Sequence, residues 1–400
     1  MPVRSHISRF TALLAAGLCA ALACAQAAAP AAPPPAPVPA PVPAAKPATQ
    51  GVLRHGIAEP IAKPAGAIRI ASYNIENLFD AGADGKMGDQ PASRGTEPKP
   101  DDHRAAVAKA IRAVNADILA LQEIQNLEAL TRFRDTYLKD MGYDHIASLD
   151  AGDDRGIEQS VLSRFPITQT RQWVNLPLGG THNADRTESD RVPGGPILFK
   201  RSPLMTTIEL PRPADAPADA KPQTITLFNV HFKSGGRRDA YWREREATKT
   251  AELASQVKRD DPSTAVIILG DFNAQPRDRA FRNVAAAGFA DAFADLPDGD
   301  SRYITHASDR VIDHLMLCAR AEAGLIKETR FVLGTMQRPA GVDWRTTEPP
   351  EGYASDHYPV VIDLDPVRLL AAPAEKLAPA PAAAPAPSPA LAPAPAGTAP

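Results

Sequence analysis

The chain has 400 residues, with 44 Lys and Arg against 47 Asp and Glu and a net charge of −3. Residues 1–66 hold Arg4, Arg9, Lys46, Arg54 and Lys63 against Glu59, and residues 368–400 hold Arg368 and Lys376 against Glu375, so the 67–367 core carries −8. That balance excludes a protein that grips polyanions by bulk charge and leaves any such contact to a local basic rim and bound metal.

The chain begins with a basic stretch (Arg4, Arg9), an apolar run from Phe10 to about Ala25, and small residues. This reads as a secretory signal over residues 1–27, cleaved after Ala27. The run is shorter than the roughly 20 residues of a spanning helix, so no membrane span is expected. Cys24 offers a lipid anchor, although Ala21 and Leu22 match a lipobox poorly. The expected destination is secreted or periplasmic, with an outer-membrane lipoprotein as the alternative. Pro and Ala dominate residues 28–66 and 368–400. Such segments bury too little apolar surface to fold, and both are expected to be disordered arms. Cys318 alone remains outside the signal. Packing rather than a disulfide must hold the 67–367 domain, and Cys318 reads as a buried small hydrophobe.

Within that domain AIRIASYNI (67–75) alternates as a strand does. Val107, Ala110, Ile111 and Val114 have helical spacing, with Asp101 or Asp102 as the cap. ADILALQEI (116–124) reads as a buried strand, and LEALTRFRDTYLKDMG as a helix closed by Gly142. IEQSVLSRFPI, PILFKRSPLMTTIEL and QTITLFNVHF read as strands, and DAYWREREATKTAELASQVKRD as the longest helix. TAVIILGDFN runs from strand into polar loop, and VIDHLMLC and YPVVIDL are the last strands. Strands interleaved with helices imply an α/β class with stacked sheets. The polar groups SYN, QE, NVH, GDFN, RVIDH and SDH each fall at a strand end. There a rigid sheet can gather side chains into one cleft.

Singly these groups are ambiguous. Asn74, GDFN and SDH are common turn formers, and His231 is as readily a satisfied core histidine as a site residue. Glu123 abuts a buried strand, where a carboxylate is costly unless paired or metal-bound. Asp313 interrupts an apolar strand and asks for a partner. In order, however, SYNI, LALQEI, RGIEQSVLSRFPI, NVHFKS, ILGDFNAQP, VIDHLML and SDHYPV resemble the endonuclease/exonuclease/phosphatase superfamily. That superfamily includes pancreatic-type deoxyribonucleases, abasic-site endonucleases, sphingomyelinases and inositol-phosphate phosphatases. The resemblance implies a four-layer α/β sandwich, with two mixed β-sheets face to face and helices outside.

It also implies metal-dependent hydrolysis of phosphodiesters. A hard divalent ion held by carboxylate and amide oxygens offsets the charge that repels an attacking hydroxide. The resemblance makes Glu123 the central metal ligand, supported by Asn74, with Asp356 near the same site and Glu76 as a further candidate. The ion would be Mg²⁺ or Mn²⁺, or else Ca²⁺. His231 and His357 would flank the scissile phosphate, where an imidazole suits proton transfer near neutral pH. Asp313 would orient His357, and Glu158 would orient His231. Asp271 would accept a proton from the attacking water, Asn273 would hold the phosphate or that water, and Arg155 would contact a phosphate.

SYNIENLFD and HFKSGGRRDAYWREREA look most like secreted bacterial nucleases of the superfamily. Lys233, Arg237 and Arg238 then become candidates for backbone phosphates, which need only cation and reach. Arg243 and Arg245 read largely as a solvated helix face. The expectation is an exported, monomeric nuclease with DNA or RNA as substrate, little sequence preference and no obligate protein partner. The alternatives are a phosphatase or sphingomyelinase-like phosphodiesterase with the same metal core, and a non-catalytic binding module. The tryptophan-rich motif of the inositol-phosphate branch is absent. Two histidines retained with their carboxylates argue against a binding module.

Overall fold

The computed structural model describes residues 50–81, 97–182, 194–212, 222–297 and 299–372. The expected signal over 1–27, and most of both Pro/Ala-rich arms, lie outside the described residues. The chain forms β1 (Val52–Leu53), β2 (Ile68–Leu78), α1 (Asp101–Val114), β3 (Ile118–Ile124), α2 (Leu127–Tyr137), β4 (His145–Ser148), β5 (Glu158–Ser163) and β6 (Ile167–Arg171). Then follow β7 (Pro177–Thr181), β8 (Pro196–Leu198), β9 (Leu204–Glu209), β10 (Thr224–His231), α3 (Ala240–Asp260), β11 (Ala265–Asp271), α4 (Arg279–Ala286) and β12 (Ala290–Asp291). The last are β13 (Asp313–Leu317), α5 (Ala319–Gly324), β14 (Phe331–Val332), β15 (Met336–Gln337), β16 (Val360–Leu364) and α6 (Pro366–Ala371). Among the described residues, no helix is long and apolar enough to cross a membrane.

Two six-stranded sheets dominate, in the orders β14-β16-β2-β3-β5-β4 and β12-β13-β11-β10-β9-β6. Each has one parallel pair at its centre, β2 with β3 and β10 with β11, flanked by antiparallel neighbours. Alternation along a strand sends successive side chains to opposite faces. Ile70, Ile118 and Val161 therefore meet Ile225 and Leu269 of the other sheet in one core. Ala71, Tyr73, Leu119 and Leu162 face outward onto Val107, Ile111 and Val114 of α1 and Leu130 and Phe133 of α2. Ala247, Ala251 and Ala254 of α3, Val284 of α4 and Ala321 of α5 pack with the second sheet. The result is the four-layer α/β sandwich of mixed sheets that the resemblance implied. Cys318 is buried and unpaired.

Several expected elements differ in detail. Pro203 has no N–H to extend a ladder, and PILFKRSPLMTTIEL divides at it into β8, paired with β7, and β9, paired with β6 and β10. The N-cap of α1 is Pro100, with no side-chain cap bond; Asp101 and Asp102 lie in the first turn, where they favour the helix dipole instead. Residues 50–66, expected in the disordered arm, are packed where they are described. β1 pairs with β15, and the Ile57 N–H donates to Val332 O at 2.9 Å. Ile57 and Ile61 rest on the outer core of the first sheet, supplying the apolar surface that a Pro/Ala arm lacks. Beyond the expected boundary at 367, α6 continues and buries Leu369.

One buried ion pair joins these pieces. Arg69 of β2 lies opposite Asp363 of β16. Its Nε and Nη2 donate to the two carboxylate oxygens at 2.8 Å each, and its remaining donors reach Val114 O and Ile61 O. Only 2% of Arg69 and 0% of Asp363 is exposed. Asp363→Ala strands a buried guanidinium and should lower the unfolding free energy by about 3–5 kcal/mol in a denaturant titration. Arg69→Met with Asp363→Leu should recover most of it, since a well-packed apolar pair replaces the ions. A single-variant loss below about 1 kcal/mol would contradict the pair's burial.

Candidate active site

Toward one end, the inner faces of the sheets change from apolar to polar. Along β2 the inward residues are Ile70, Ser72 and Asn74, and along β10 they are Ile225, Leu227, Asn229 and His231. Just beneath the charged layer, the Gln122 amide donates to Asn229 Oδ1 across the sheets at 2.7 Å. Asn229 in turn donates to Leu121 O and Ser160 O at 2.9 Å each. These buried amides tie the two sheets together directly below the site.

Strand register assembles the next layer. His231 lies opposite Asp271, and Asp271 opposite Asp313. This places one imidazole and two carboxylates in a row across three neighbouring strands. His357, just before β16, donates from Nδ1 to Asp313 Oδ2 at 2.8 Å. The Nε2 atoms of His231 and His357 lie 3.5 and 3.8 Å from Asp271 Oδ2. Asn74 donates to the same oxygen at 3.1 Å and to Glu123 Oε1 at 3.4 Å, while its Oδ1 accepts from the Glu76 N–H. Asn273 donates its backbone N–H to Asp271 Oδ1 at 2.8 Å and its amide to Oδ2 at 3.1 Å. His231 Nε2 and Arg155 Nη2 each stand 3.7 Å from Glu123 Oε1.

The backbone is strained where these groups are aimed. Glu76, Glu123 and Asn273 have φ of 52°, 65° and 48°, values that a non-glycine residue holds only where its surroundings impose them. Glu123 falls at the break in register between β3 and β5, and Glu76 at that between β2 and β3. Such bulges re-aim a side chain. At Gly270 (φ 131°) a Cβ would lie 2.1 Å from Val230 O, so only glycine lets β10 and β11 close beside His231 and Asp271.

Burial, opposed by the His357 charge and reinforced by Asp313, pushes Asp271 up to about 7. Burial and the Asp356 charge push Glu76 up to about 7 as well. Burial, with the charges of Arg201 and Arg155, holds His231 well below the usual histidine value. His357 is held well above it against burial, by Asp313 and Asp271. Asp356 is held below the carboxylate range against burial, by His306 and His357. Burial is the leading cause of both upward carboxylate shifts, and five carboxylates, Glu76, Glu123, Asp271, Asp313 and Asp356, share this one cluster. Glu76 Oε2 is buried and has no hydrogen bond of ordinary geometry among the described residues, although the Tyr353 hydroxyl lies beside the carboxylate. Asp271, Asp313 and His357 form one triad with ligand atoms within 4.8 Å of one another, and His306, Asp356 and His357 form another. Clustered carboxylate oxygens, one of them without a well-formed hydrogen bond, fit a hard divalent cation.

Asn74, Glu76, Glu123, Arg155, His231, Asp271, Asn273, Asp313, Asp356 and His357 therefore gather in one cluster, linked by the contacts and charges above. Glu158 does not join it. Its carboxylate accepts from the Ser148 hydroxyl, and no hydrogen bond or ion pair connects it to His231 among the described residues. The reason is parity: Val161 faces the other sheet and Leu162 the helices, and Glu158 shares the parity of Leu162. A one-residue offset puts a side chain on the opposite face. Arg243 also departs from expectation. It is buried and donates to Lys233 O and Gly235 O at 2.8 and 3.2 Å, holding the loop after His231 to α3. Arg245 donates to Leu178 O at 2.6 Å. The Lys233 N–H donates to Glu246 at 2.6 Å, while Arg237 and Arg238 are exposed.

Two members were not expected from sequence. His306 Nε2 lies 3.3 Å from Asp356 Oδ2, and its ring stands edge-on to His357 with centroids 4.5 Å apart. Lys99 is buried, and its ammonium donates to Glu76 O at 2.9 Å. His306 follows an apolar pair in RYITH and Lys99 sits between two prolines; neither pattern marks a site.

Fold and cluster together define a phosphoesterase built on a two-sheet sandwich. Residues 71–357 match the Endonuclease/Exonuclease/phosphatase family, and the chain belongs to that family. No curated protein matches it. Among solved structures it is similar to the human Nocturnin catalytic domain with bound sulfate anion, at 13% identity and TM-score 0.48, covering 76% of this chain and 96% of that one. Truncated Caenorhabditis elegans TDP2 is similar at 15% identity and TM-score 0.47, covering 74% and 97%. A mannosyl-6-phosphatase from Bacteroides thetaiotaomicron is similar at 15% identity and TM-score 0.44, covering 74% and 99%.

Gly270→Ala tests the close approach of β10 and β11. The added methyl must part the strands beside His231 and Asp271. The expected result is a loss of roughly 2 kcal/mol or more in chemical denaturation, the scale of strain at a special backbone position. Phosphoesterase activity should fall with it, and an unchanged variant would refute the constraint.

Proposed function

We propose that this protein is an exported, metal-dependent phosphodiesterase that cuts DNA or RNA with little sequence preference. The observation that supports the chemistry best is the convergence of two imidazoles on one buried carboxylate oxygen, Asp271 Oδ2, at 3.5 and 3.8 Å. On this reading Asp271 accepts the proton of the attacking water, and Asn273 orients that water or the phosphate. His357, held in one orientation by Asp313, and His231 hydrogen-bond the scissile phosphate from two sides. Glu123, Asp356 and Glu76 would hold the cation, Mg²⁺ or Mn²⁺, and Asn74, which donates to both Glu123 and Asp271, would brace one against the other. Once bound, such an ion offsets the charge of the phosphodiester and of its transition state. Arg155, 3.7 Å from Glu123, would contact a phosphate oxygen.

The nucleic-acid part rests on Lys233, Arg237 and Arg238, which follow His231 on a glycine-containing loop. Cations that meet phosphates rather than base edges add affinity without sequence preference. Export rests on the signal-like residues 1–27, and predicts a mature start near Ala28, or a lipidated Cys24, by mass spectrometry of the native protein.

Activity should vanish with a chelator and return with Mg²⁺ or Mn²⁺. Glu123→Gln should lose most of it without unfolding. His231→Ala and His357→Ala should each lower turnover by at least about a hundredfold, and Asp313→Asn should do so more weakly. Full activity in excess chelator would sink the metal-dependent reading. Arg237→Ala with Arg238→Ala should raise the apparent KM on long DNA or RNA and flatten its salt dependence, since fewer counterions are released. A panel of plasmid, single-stranded RNA, a lipid phosphodiester and a phosphomonoester decides the substrate. Far better turnover of either of the last two would replace the nuclease with the phosphatase or phospholipase reading.

A further inference from the structure

A cleft of about 760 Å³ opens onto the same cluster, with Glu76, His306 and Asp356 among its walls. Its remaining lining includes Arg310, Arg338, Arg345 and Trp344, and none of these four belongs to the cluster around Asp271. Among the described residues, the only other lining carboxylate is Asp309, which pairs with Arg54 and His55. Arg310 donates to the Ser308 hydroxyl at 2.6 Å and Arg338 to Thr347 O at 2.8 Å. These partners are neutral, so they position the two guanidiniums without cancelling their charge. Arg345 has a looser contact to Asp343 at 3.7 Å and lies over the Trp344 ring, 4.8 Å from its centroid. Trp344 itself is 64% exposed. It serves no core, and an exposed indole beside arginines offers a face to a planar ligand.

We infer that this cleft binds an unpaired nucleotide next to the scissile phosphate, with the base against Trp344 and its phosphate on Arg310, Arg338 and Arg345. The inference rests on the phosphodiesterase reading above and narrows it to single-stranded nucleic acid. A ligand with one phosphate, held at the carboxylate cluster, has no use for three further guanidiniums. A polynucleotide places the next phosphate and the next base there. Cationic grooves with aromatic platforms are how single strands are held without sequence preference. A base in a duplex has both faces stacked and cannot lie on an indole unless it is unpaired. The cleft volume also falls within the roughly 300–1,000 Å³ of sites for ligands of nucleotide size.

The test is binding in excess chelator, so that no turnover intervenes, read by intrinsic tryptophan fluorescence and by anisotropy of a labelled strand. The probes are a short oligodeoxythymidylate and the same strand paired with its complement. The single strand should quench the fluorescence and bind about tenfold or more tightly than the duplex. Trp344→Ala should raise its Kd roughly tenfold, the scale of one base–aromatic stack, and abolish most of the quenching. Arg310→Ala with Arg345→Ala should reduce the salt slope of binding by about two, one for each phosphate that is no longer neutralised. Thermal unfolding followed by circular dichroism checks that each variant is folded. Equal affinity of Trp344→Ala and wild type for the single strand would overturn the inference, as would equal binding of strand and duplex by the wild type. Wild-type hydrolysis of bis(p-nitrophenyl) phosphate, measured in parallel with added Mn²⁺, separates the two readings. If it persists while the binding effects are absent, the cleft assignment fails and the phosphodiesterase stands. If it is absent with every polynucleotide also uncut, both fail.

Discussion

A carboxylate stripped of water destabilises a fold unless donors and cations surround it, and Asp271 is only 2% exposed at the end where both sheets turn polar. Its surroundings come from almost every part of the domain. Asn74 reaches it from the first sheet, His231 from a neighbouring strand, Asn273 from the following turn and His357 from the loop before β16. Asn74 and His357 belong to the opposite sheet, so their contacts with Asp271 also fix the spacing of the sheets. The Gln122–Asn229 bridge beneath does the same one layer down. Stability and site geometry are thus one constraint: the sheets cannot slide without unpairing the buried carboxylate. The compensation is incomplete, however. Burial pushes Asp271 and Glu76 both up to about 7; their lost hydration is only partly replaced by side chains, and a bound cation would replace the rest.

The parts legible in the sequence are those governed by alternation. Apolar strands ending in SYN, QE, NVH, GDFN, RVIDH and SDH announce both the stacked sheets and the layer where their polar ends meet. What alternation does not carry is the face on which a marginal residue falls. Glu158 lies one residue out of phase with the interior, and that offset moves it to the side of Ser148. Nor does periodicity reach across loops. His306 comes to Asp356 through a backbone bridge between residues 306 and 357, and Lys99 comes to Glu76 from a proline-flanked turn. Arg243 escapes for a different reason: its position on α3 resembles a solvated face, but the loop after His231 folds back and covers it. Residues 50–66 escape because their composition blends into the preceding Pro/Ala run, while Ile57 and Ile61, the β1–β15 pair and the Arg69 bond to Ile61 O hold them to the domain.

Net charge is the remaining tension, since a domain at −8 should repel a polyanion. At physiological salt the screening length is about 8 Å, so charges on the far faces contribute little at the site. On the proposed nuclease reading, what a strand would meet is local: Lys233, Arg237 and Arg238 on the loop after His231, and Arg310, Arg338 and Arg345 along the cleft. The carboxylates of the site are the groups that a cation would neutralise. A phosphate on its own would encounter those carboxylates first, whereas a strand long enough to reach the basic segments as well would gain attraction from them. On that reading, the same arrangement that makes bulk binding weak would favour an extended ligand over a short one, through charges beside the site rather than through the protein's overall field.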